Sequence, residues 1–599
     1  MAAPLLTRTE VPLEHTWDLA SVYLDLAAWE ADARVLEAAL PELAAMAGKL
    51  TASAANLQAM FTLSERLQVL VRRLFVYAGM NFDVDTTNQA AAGLRDQAFG
   101  LFSRLMATAA FIEPELLAAD PARLEALLAE EPALAIYQHY LVELRRNASH
   151  IRSAEVEGLL AQASDPLRTA YSAFQVLAES DLRFAPATDS TGTSYEVSTS
   201  TFNTLLASPD RTLRQNAWLS HQDAFLAFKN TFGTIYGGSV RGDVFQARAR
   251  NFPSTLAQKL FANNLPQAVY DNVISACNRH LPIWHRYWDL RRRALGIETL
   301  TAYDVFAPLT SPPNYPYADA ADLICEAMTP LGEEYVTTAR AGLTHQRWVD
   351  IYPNRGKTSG AYSGGGYDTH PFILMNFDGG LPDVSTLAHE LGHSMHSWYT
   401  CKHQPLVYAG YSLFVAEVAS NFNQALLRGH LLAQQPSREV EIAILEEAMN
   451  NFHRYLFLMP ILSQLEQYAH EQVESGQPIT ADLLGARLAD LFQRGYGPAA
   501  TVDPDRDGII WAQFPHLYEA YYVYQYASGI AAANALAADL LAGVPEARER
   551  YLRFLSAGSS LYPLEALAVA GIDMTDPAPM DRAFAILDQY VSRLEGLVG

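Results

Sequence analysis

The stretch Thr386-Leu387-Ala388-His389-Glu390-Leu391-Gly392-His393-Ser394-Met395-His396 holds His-Glu-x-x-His inside a run that reads as one helix. Two histidines four residues apart share a helical face, where both can bind a single zinc ion. Glu390 lies about a third of a turn around from His389. That offset suits a general base reaching a metal-bound water better than a third ligand. Pro382-Asp383 precedes the motif, with Asp383 expected as N-cap, and Leu387, Leu391, Met395 and Trp398 continue an amphipathic pattern.

Working outward, Ser412 to Arg428 reads as a second helix carrying one acid, Glu417, among alanines and large apolar side chains. A carboxylate on such a face is costly unless something pairs with it, and a metal would do so. Two histidines and a glutamate leave a fourth position open, as a catalytic zinc requires, whereas structural zinc is more often closed by cysteines. Cys277, Cys325 and Cys401 are widely separated and odd in number, which fits a reducing compartment without a disulfide framework. Manganese or cobalt stays open as an alternative, because ligand type favours zinc without requiring it. His396, three residues beyond His393, reads as a packing residue, since a fourth protein ligand would close the site; His370 is left unassigned.

Asp383-Val-Ser-Thr-Leu-Ala-His-Glu-Leu-Gly-His393 followed by Phe414-Val-Ala-Glu-Val-Ala-Ser420 resembles the thimet oligopeptidase family of zinc metallopeptidases, family M3, and within it the oligoendopeptidase F branch. The resemblance extends to Glu14-His-Thr-Trp-Asp-Leu19, to Asp350-Ile-Tyr-Pro-Asn-Arg-Gly-Lys-Thr-Ser-Gly-Ala-Tyr362, and to His516-Leu-Tyr-Glu-Ala-Tyr-Tyr-Val-Tyr-Gln-Tyr526. It implies a mainly α fold: a large helical zincin-type metallopeptidase with a deep substrate cleft and a small β-element next to the zinc helix. It implies one Zn2+ per chain on His389, His393 and Glu417, Glu390 activating the bound water, and oligopeptide substrates cut at internal bonds while folded proteins are excluded. His516 and Tyr524 are the expected oxyanion donors, with Tyr518 and Tyr522 as substrate-binding neighbours. Tyr521 and Tyr524 would share a face if this segment is helical. The branch usually has glutamate where this chain has Gln424, a position from which a side chain could hydrogen-bond a zinc-binding histidine.

Ser359-Gly-Ala-Tyr-Ser-Gly-Gly-Gly-Tyr367 leads through Pro371-Phe-Ile-Leu-Met-Asn376, a short apolar strand, toward the zinc helix. A strand in that position can pair with an extended peptide through main-chain bonds, and glycines allow close approach. Gly360, Ala361, Tyr362 and Gly366 are the expected substrate contacts.

The rest of the chain sets bounds. Its 599 residues are half hydrophobic and 18% charged, ample for a large core. A net charge of −24 without a Lys/Arg cluster argues against nucleic acid and anionic membranes as partners, leaving the acidity to solubility. The N-terminus lacks a signal peptide's basic head and apolar core, and no segment runs apolar through a bilayer's length, so a cytoplasmic location is expected. Helical spacing recurs at 27–50, 54–80, 94–111 and 154–177, with a hairpin over 182–197 and strands within 347–380. A soft boundary near residue 200 divides a mostly helical N-terminal region (1–200), forming a cleft wall, from a peptidase region (201–599). A zinc carboxypeptidase and an idle peptide-binding scaffold are the competing readings; oligomeric state is not legible.

Overall fold

A computed structural model describes residues 5–598, and among these the chain is mainly helical. It divides into two compact units, neither a continuous stretch: one takes the chain up to Ser149, Asn314–Ser412 and Pro545–Leu561; the other takes His150–Pro313, Leu413–Val544 and the chain from Tyr562 onward. Among the described residues no helix is long and apolar enough to cross a membrane.

The first unit begins with helices Leu26–Ala44, Ala54–Asp83 and Gln89–Ala109. Asp25 and Ser53 cap the first two by accepting the Ala28 and Asn56 N–H groups. Trp29, Ala33, Leu36 and Leu43 on one helix and Leu57, Met60, Leu67 and Leu74 on the next recur at helical spacing and meet in one core. Trp29 Nε1 donates to Leu74 O at 3.0 Å, so the large ring is buried without orphaning its N–H.

The same unit contains a three-stranded sheet of β1 (Val349–Asp350), β2 (Tyr362–Gly364) and β3 (Phe372–Leu374) in the order β1-β3-β2. β1 runs parallel to β3, pairing Val349 with Ile373, while β2 runs antiparallel, pairing Ser363 with Ile373. The fully buried, apolar β3 takes the centre and the glycine-bordered β2 an edge. Next comes the motif helix, Leu381–His403. It starts earlier than expected: Gly380 is the N-cap, Pro382 fills the first turn where its missing N–H costs nothing, and Asp383 lies inside the helix. The Asp383 carboxylate instead accepts the Asp378 N–H at 2.7 Å, bracing the approach loop.

In the second unit, helix Ala154–Gln175 continues into a π turn, Val176–Asp181, and the expected hairpin follows as Ala187–Thr188 paired antiparallel with Ser194–Tyr195. The glutamate helix Leu413–Ala433 packs along Tyr524–Leu541, whose Ala527, Gly529, Ala531, Ala532 and Ala533 keep the second helix narrow. Another long run goes from Arg438 through a π turn, His453–Leu458, into helix Met459–Glu474. Trp284 and Trp288 meet His453 edge to face and Phe457 stacks on it, while Tyr496 packs on Trp288 and Phe457. Cys277, Cys325 and Cys401 are all free thiols.

Candidate metal centre and its surroundings

On the motif helix the i, i+4 spacing brings the His389 and His393 rings to 4.9 Å between centroids, at 82° to one another. Both rings are half-buried, whereas Glu390 is 7% exposed. The helix is held around them. Tyr411 donates to the His393 carbonyl at 3.4 Å and shares a hydrogen bond with Ser397 Oγ at 2.9 Å. Its ring stacks on His396 at 3.7 Å, and Phe554 packs against the same imidazole at 5.3 Å, so His396 is a buried packing residue. On the opposite flank, Ser394 Oγ and Ser363 Oγ lie 2.8 Å apart, tying the helix to edge strand β2 one residue after His393.

The loop before β2 is equally built. Gly360 sits at φ +82, which side chains disfavour, and the Asn376 amide donates to Thr358 O and Gly360 O. Tyr362 gives its hydroxyl to Asp83 Oδ2 at 2.7 Å, and burial pushes the phenol above its usual range. Gly366 N donates to Thr369 Oγ1, and Arg72 Nε reaches Gly365 O. Ala361 is half-buried between the two. His370 is enclosed by Trp348, Phe372 and Ser21, a structural role.

In the second unit, Glu417 accepts Ser420 Oγ at 3.0 Å on Oε2, one turn further along its own helix. A Cβ at Gly529 would stand only 2.8 Å from Glu417 Cβ, so the bare glycine is what lets the two helices close at this point. Gln424, 6% exposed, accepts from the Asn451 amide at 3.3 Å. Among the described residues, His389, His393 and Glu417 are the group of histidines and acids able to serve one metal ion.

The tyrosine segment is not one helix. Short 3-10 turns at Ile510–Gln513 and Pro515–Tyr518 lead to Tyr521, which has φ +54, and the helix begins only at Tyr524. Tyr521 and Tyr524 therefore share no helical face, the reason being that left-handed residue. The His516 ring faces Tyr522 at 5.6 Å and Tyr526 at 6.0 Å, and Tyr526 gives its hydroxyl to Tyr522 at 3.2 Å. Tyr524 is 2% exposed, edge-on to Tyr270. Tyr518 packs on Phe174 and Tyr236. Burial, helped by the positive charge of Arg454, pushes the His516 pKa down, so the ring is a neutral N–H donor. Tyr526 and Gly529 were missed from sequence; the spacing Tyr522, Tyr526 at i, i+4 was the available signal for the first, and nothing local marks the second.

Known proteins are similar to this chain over its length. The profile of Peptidase family M3 matches residues 204–586, and that of Oligopeptidase F matches 115–184. Oligopeptidase PepF of Bacillus subtilis is 36% identical over all of this chain and 89% of its own length; Group B oligopeptidase PepB of Streptococcus agalactiae is 34% identical over 99% and 98%. The crystal structure of oligoendopeptidase-F from Enterococcus faecium superposes with a TM-score of 0.75 at 30% identity, covering 95% of this chain and 98% of that one. Helical architecture and matched sequence together define a metalloendopeptidase. The chain belongs to the oligoendopeptidase F group of peptidase family M3.

Proposed function

We propose that this enzyme is a zinc-dependent endopeptidase that hydrolyses internal bonds of oligopeptides and excludes folded proteins. The observation that carries the reading is the donor set: two imidazoles one helical turn apart and one carboxylate, with no thiolate in the group, suit a zinc that keeps a position open. His389, His393 and Glu417 would hold one ion per chain, which when bound supplies Lewis-acid polarisation of water and of the scissile carbonyl. Ser420 steadies the Glu417 carboxylate, and Gln424 stands on the same helix where the branch usually has glutamate.

Glu390 takes the proton from the attacking water and passes it to the leaving amine, a role favoured by its burial beside the two histidines. A neutral His516 donates an N–H to the developing oxyanion, joined by a tyrosine O–H. Tyr524 is the tyrosine read from sequence; the ring neighbours of His516 favour Tyr522 or Tyr526. Tyr518 lines the same segment. Gly360, Ala361, Tyr362 and Gly366 would present the β2 edge to an extended substrate, whose backbone pairing tolerates many sequences. We assign 1–200 to an N-terminal region and 201–599 to the peptidase region, a division supported by profile matches ending at 184 and starting at 204. Peptide turnover in the cytoplasm is the proposed setting.

Mass spectrometry of products from an internally quenched, C-terminally amidated oligopeptide tests this. Internal cleavage that vanishes with a chelator and in Glu390→Gln is the expected result. If only the free-acid peptide is trimmed from its C-terminus, the activity is a carboxypeptidase's; if neither is cut, the proposal fails.

A further inference from the structure

Tyr521 is an unusual residue for its conformation: a bulky side chain, 2% exposed, at φ +54. That region is unfavourable for anything but glycine and persists only where surrounding structure imposes it. Here the conformation redirects the chain from the 3-10 turn Pro515–Tyr518, which carries His516, into the helix that starts at Tyr524. Its buried N–H is claimed by no neighbouring turn. It goes instead to Glu466 Oε1, 2.6 Å away on helix Met459–Glu474.

We propose that Glu466 is a positioning residue for the proposed peptidase site, its buried carboxyl group holding Tyr521 in the left-handed turn from which Tyr522, Tyr524 and Tyr526 are presented. The proposal rests on the peptidase reading above and names the device that sets its tyrosines. Two contacts from one helix reach the turn directly and a third acts through Tyr270. Besides the Glu466 bond, the His470 ring lies 5.1 Å from that of Tyr521, and Ser463 O accepts the Tyr270 hydroxyl at 3.2 Å. Tyr270 in turn packs edge-on against both Tyr521, at 5.7 Å, and Tyr524, at 5.2 Å. Of the contacts from that helix, only Glu466 engages the main chain, at the Tyr521 N–H, while Gln525 Nε2 from the segment itself donates to Tyr521 O at 3.2 Å; the ring contacts would survive a modest rotation.

The chemistry of Glu466 suits this role. It is 0% exposed, and its Oε2 has no hydrogen-bond partner among the described residues. Burial pushes its pKa up to about 8, with the His470 imidazole pulling the other way. His470 Nδ1 bonds the Glu466 carbonyl at 2.9 Å and its Nε2 lies 3.6 Å from Asp243 Oδ2, which keeps the imidazole from competing for the carboxyl. Anchored by one accepted bond and sealed from water, Glu466 can be replaced by the isosteric glutamine, whose amide oxygen still accepts the Tyr521 N–H, whereas leucine fills the space and loses the contact.

Glu466→Gln and Glu466→Leu in the full-length enzyme test the proposal, with kcat and KM on the quenched peptide, bound metal, and amide exchange of the 515–526 region by mass spectrometry. Glutamine should leave kcat within about twofold and exchange unchanged. Leucine should lower kcat at least about tenfold with KM within about twofold and metal retained, and should raise exchange over 515–526, because a displacement approaching 1 Å at the reacting groups costs up to about a hundredfold. Wild-type kcat and protection in the leucine variant would overturn the proposal, as would a change in KM alone or a glutamine variant as impaired as leucine. Exchange does not depend on turnover: if the wild type cuts no peptide, the peptidase reading fails while exchange still decides the role of Glu466. Should the leucine variant not fold, Glu466→Asp, one methylene too short to reach Tyr521, must show the same loss of kcat and protection; a normal aspartate variant refutes the anchor.

Discussion

Replacing Gly529 with alanine adds one methyl group at the most constrained helix contact near the candidate metal centre. The added Cβ would lie 2.8 Å from Glu417 Cβ, 3.5 Å from its carbonyl carbon and 3.7 Å from its Cα. None of these atoms is the free end of a side chain, so relief requires the two helices, or Glu417 itself, to move by roughly 0.6–0.8 Å to restore ordinary contact. In an exposed helix the same substitution would stabilise by up to about 1 kcal/mol. Overpacking costs about 1–3 kcal/mol, so a net loss of up to about 2 kcal/mol is expected. A shift of that size at a metal-binding carboxylate should lower kcat/KM on the order of tenfold and weaken metal retention during dialysis. Thermal midpoint, metal content and quenched-peptide kinetics read all three effects. Gly100→Ala is the control: it sits in helix Gln89–Ala109 with nothing within 4 Å of the added methyl, and should gain stability at unchanged activity. A Gly529→Ala enzyme with wild-type midpoint and kcat/KM would refute the close-approach reasoning.

Three further outcomes are expected. Tyr522→Phe and Tyr526→Phe should lower kcat with little change in KM, and more than Tyr524→Phe does; a dominant loss in Tyr524→Phe would assign the oxyanion contact to that buried hydroxyl. Gly366→Val should raise KM several-fold at constant kcat, because the surrounding atoms allow a side chain at ordinary distance; Gly360→Val adds backbone strain at φ +82 and should also lower the thermal midpoint. An unchanged KM in Gly366→Val removes the β2 edge from substrate binding. His453, buried among Trp284, Trp288 and Phe457, has its pKa pushed down to about 3 by burial, so it stays neutral while the unfolded chain takes up a proton below about 6.5. Its contribution is complete above pH 6.5 and is lost as pH falls toward 3, reaching about 2 kcal/mol by pH 5. His453→Phe should therefore show a smaller drop in melting midpoint between pH 7 and pH 5 than wild type, and an identical drop would refute the assignment.

Local sequence determined a good deal. The 3.6-residue period located the helices at 54–80 and 154–177 to within a turn, and those at 27–50 and 94–111 with one end displaced by more than a turn, because each needs one apolar stripe, as Trp29, Ala33, Leu36 and Leu43 supply. The same period put His389 and His393 on one face, since i, i+4 proximity follows from helix geometry alone. Alternation and turn residues located the hairpin and the strand Phe372–Leu374. The motif helix starts at Leu381 rather than after Asp383, because Pro382 and Asp383 both suit a first turn and the Asp383 carboxylate binds the Asp378 N–H, five residues back, instead of capping the helix.

What only the tertiary structure decided are the facts that depend on partners remote in sequence. The small size of Gly529 matters only because Glu417 packs against it, the left-handed Tyr521 is held by Glu466, and His516 turns out to neighbour Tyr522 and Tyr526. Likewise, the two compact units each gather three separated stretches of chain, an arrangement no local period encodes. Helix periodicity is a property of consecutive residues and is written along the chain. Close approach, buried hydrogen bonds and aromatic clustering are properties of surfaces that meet only after folding.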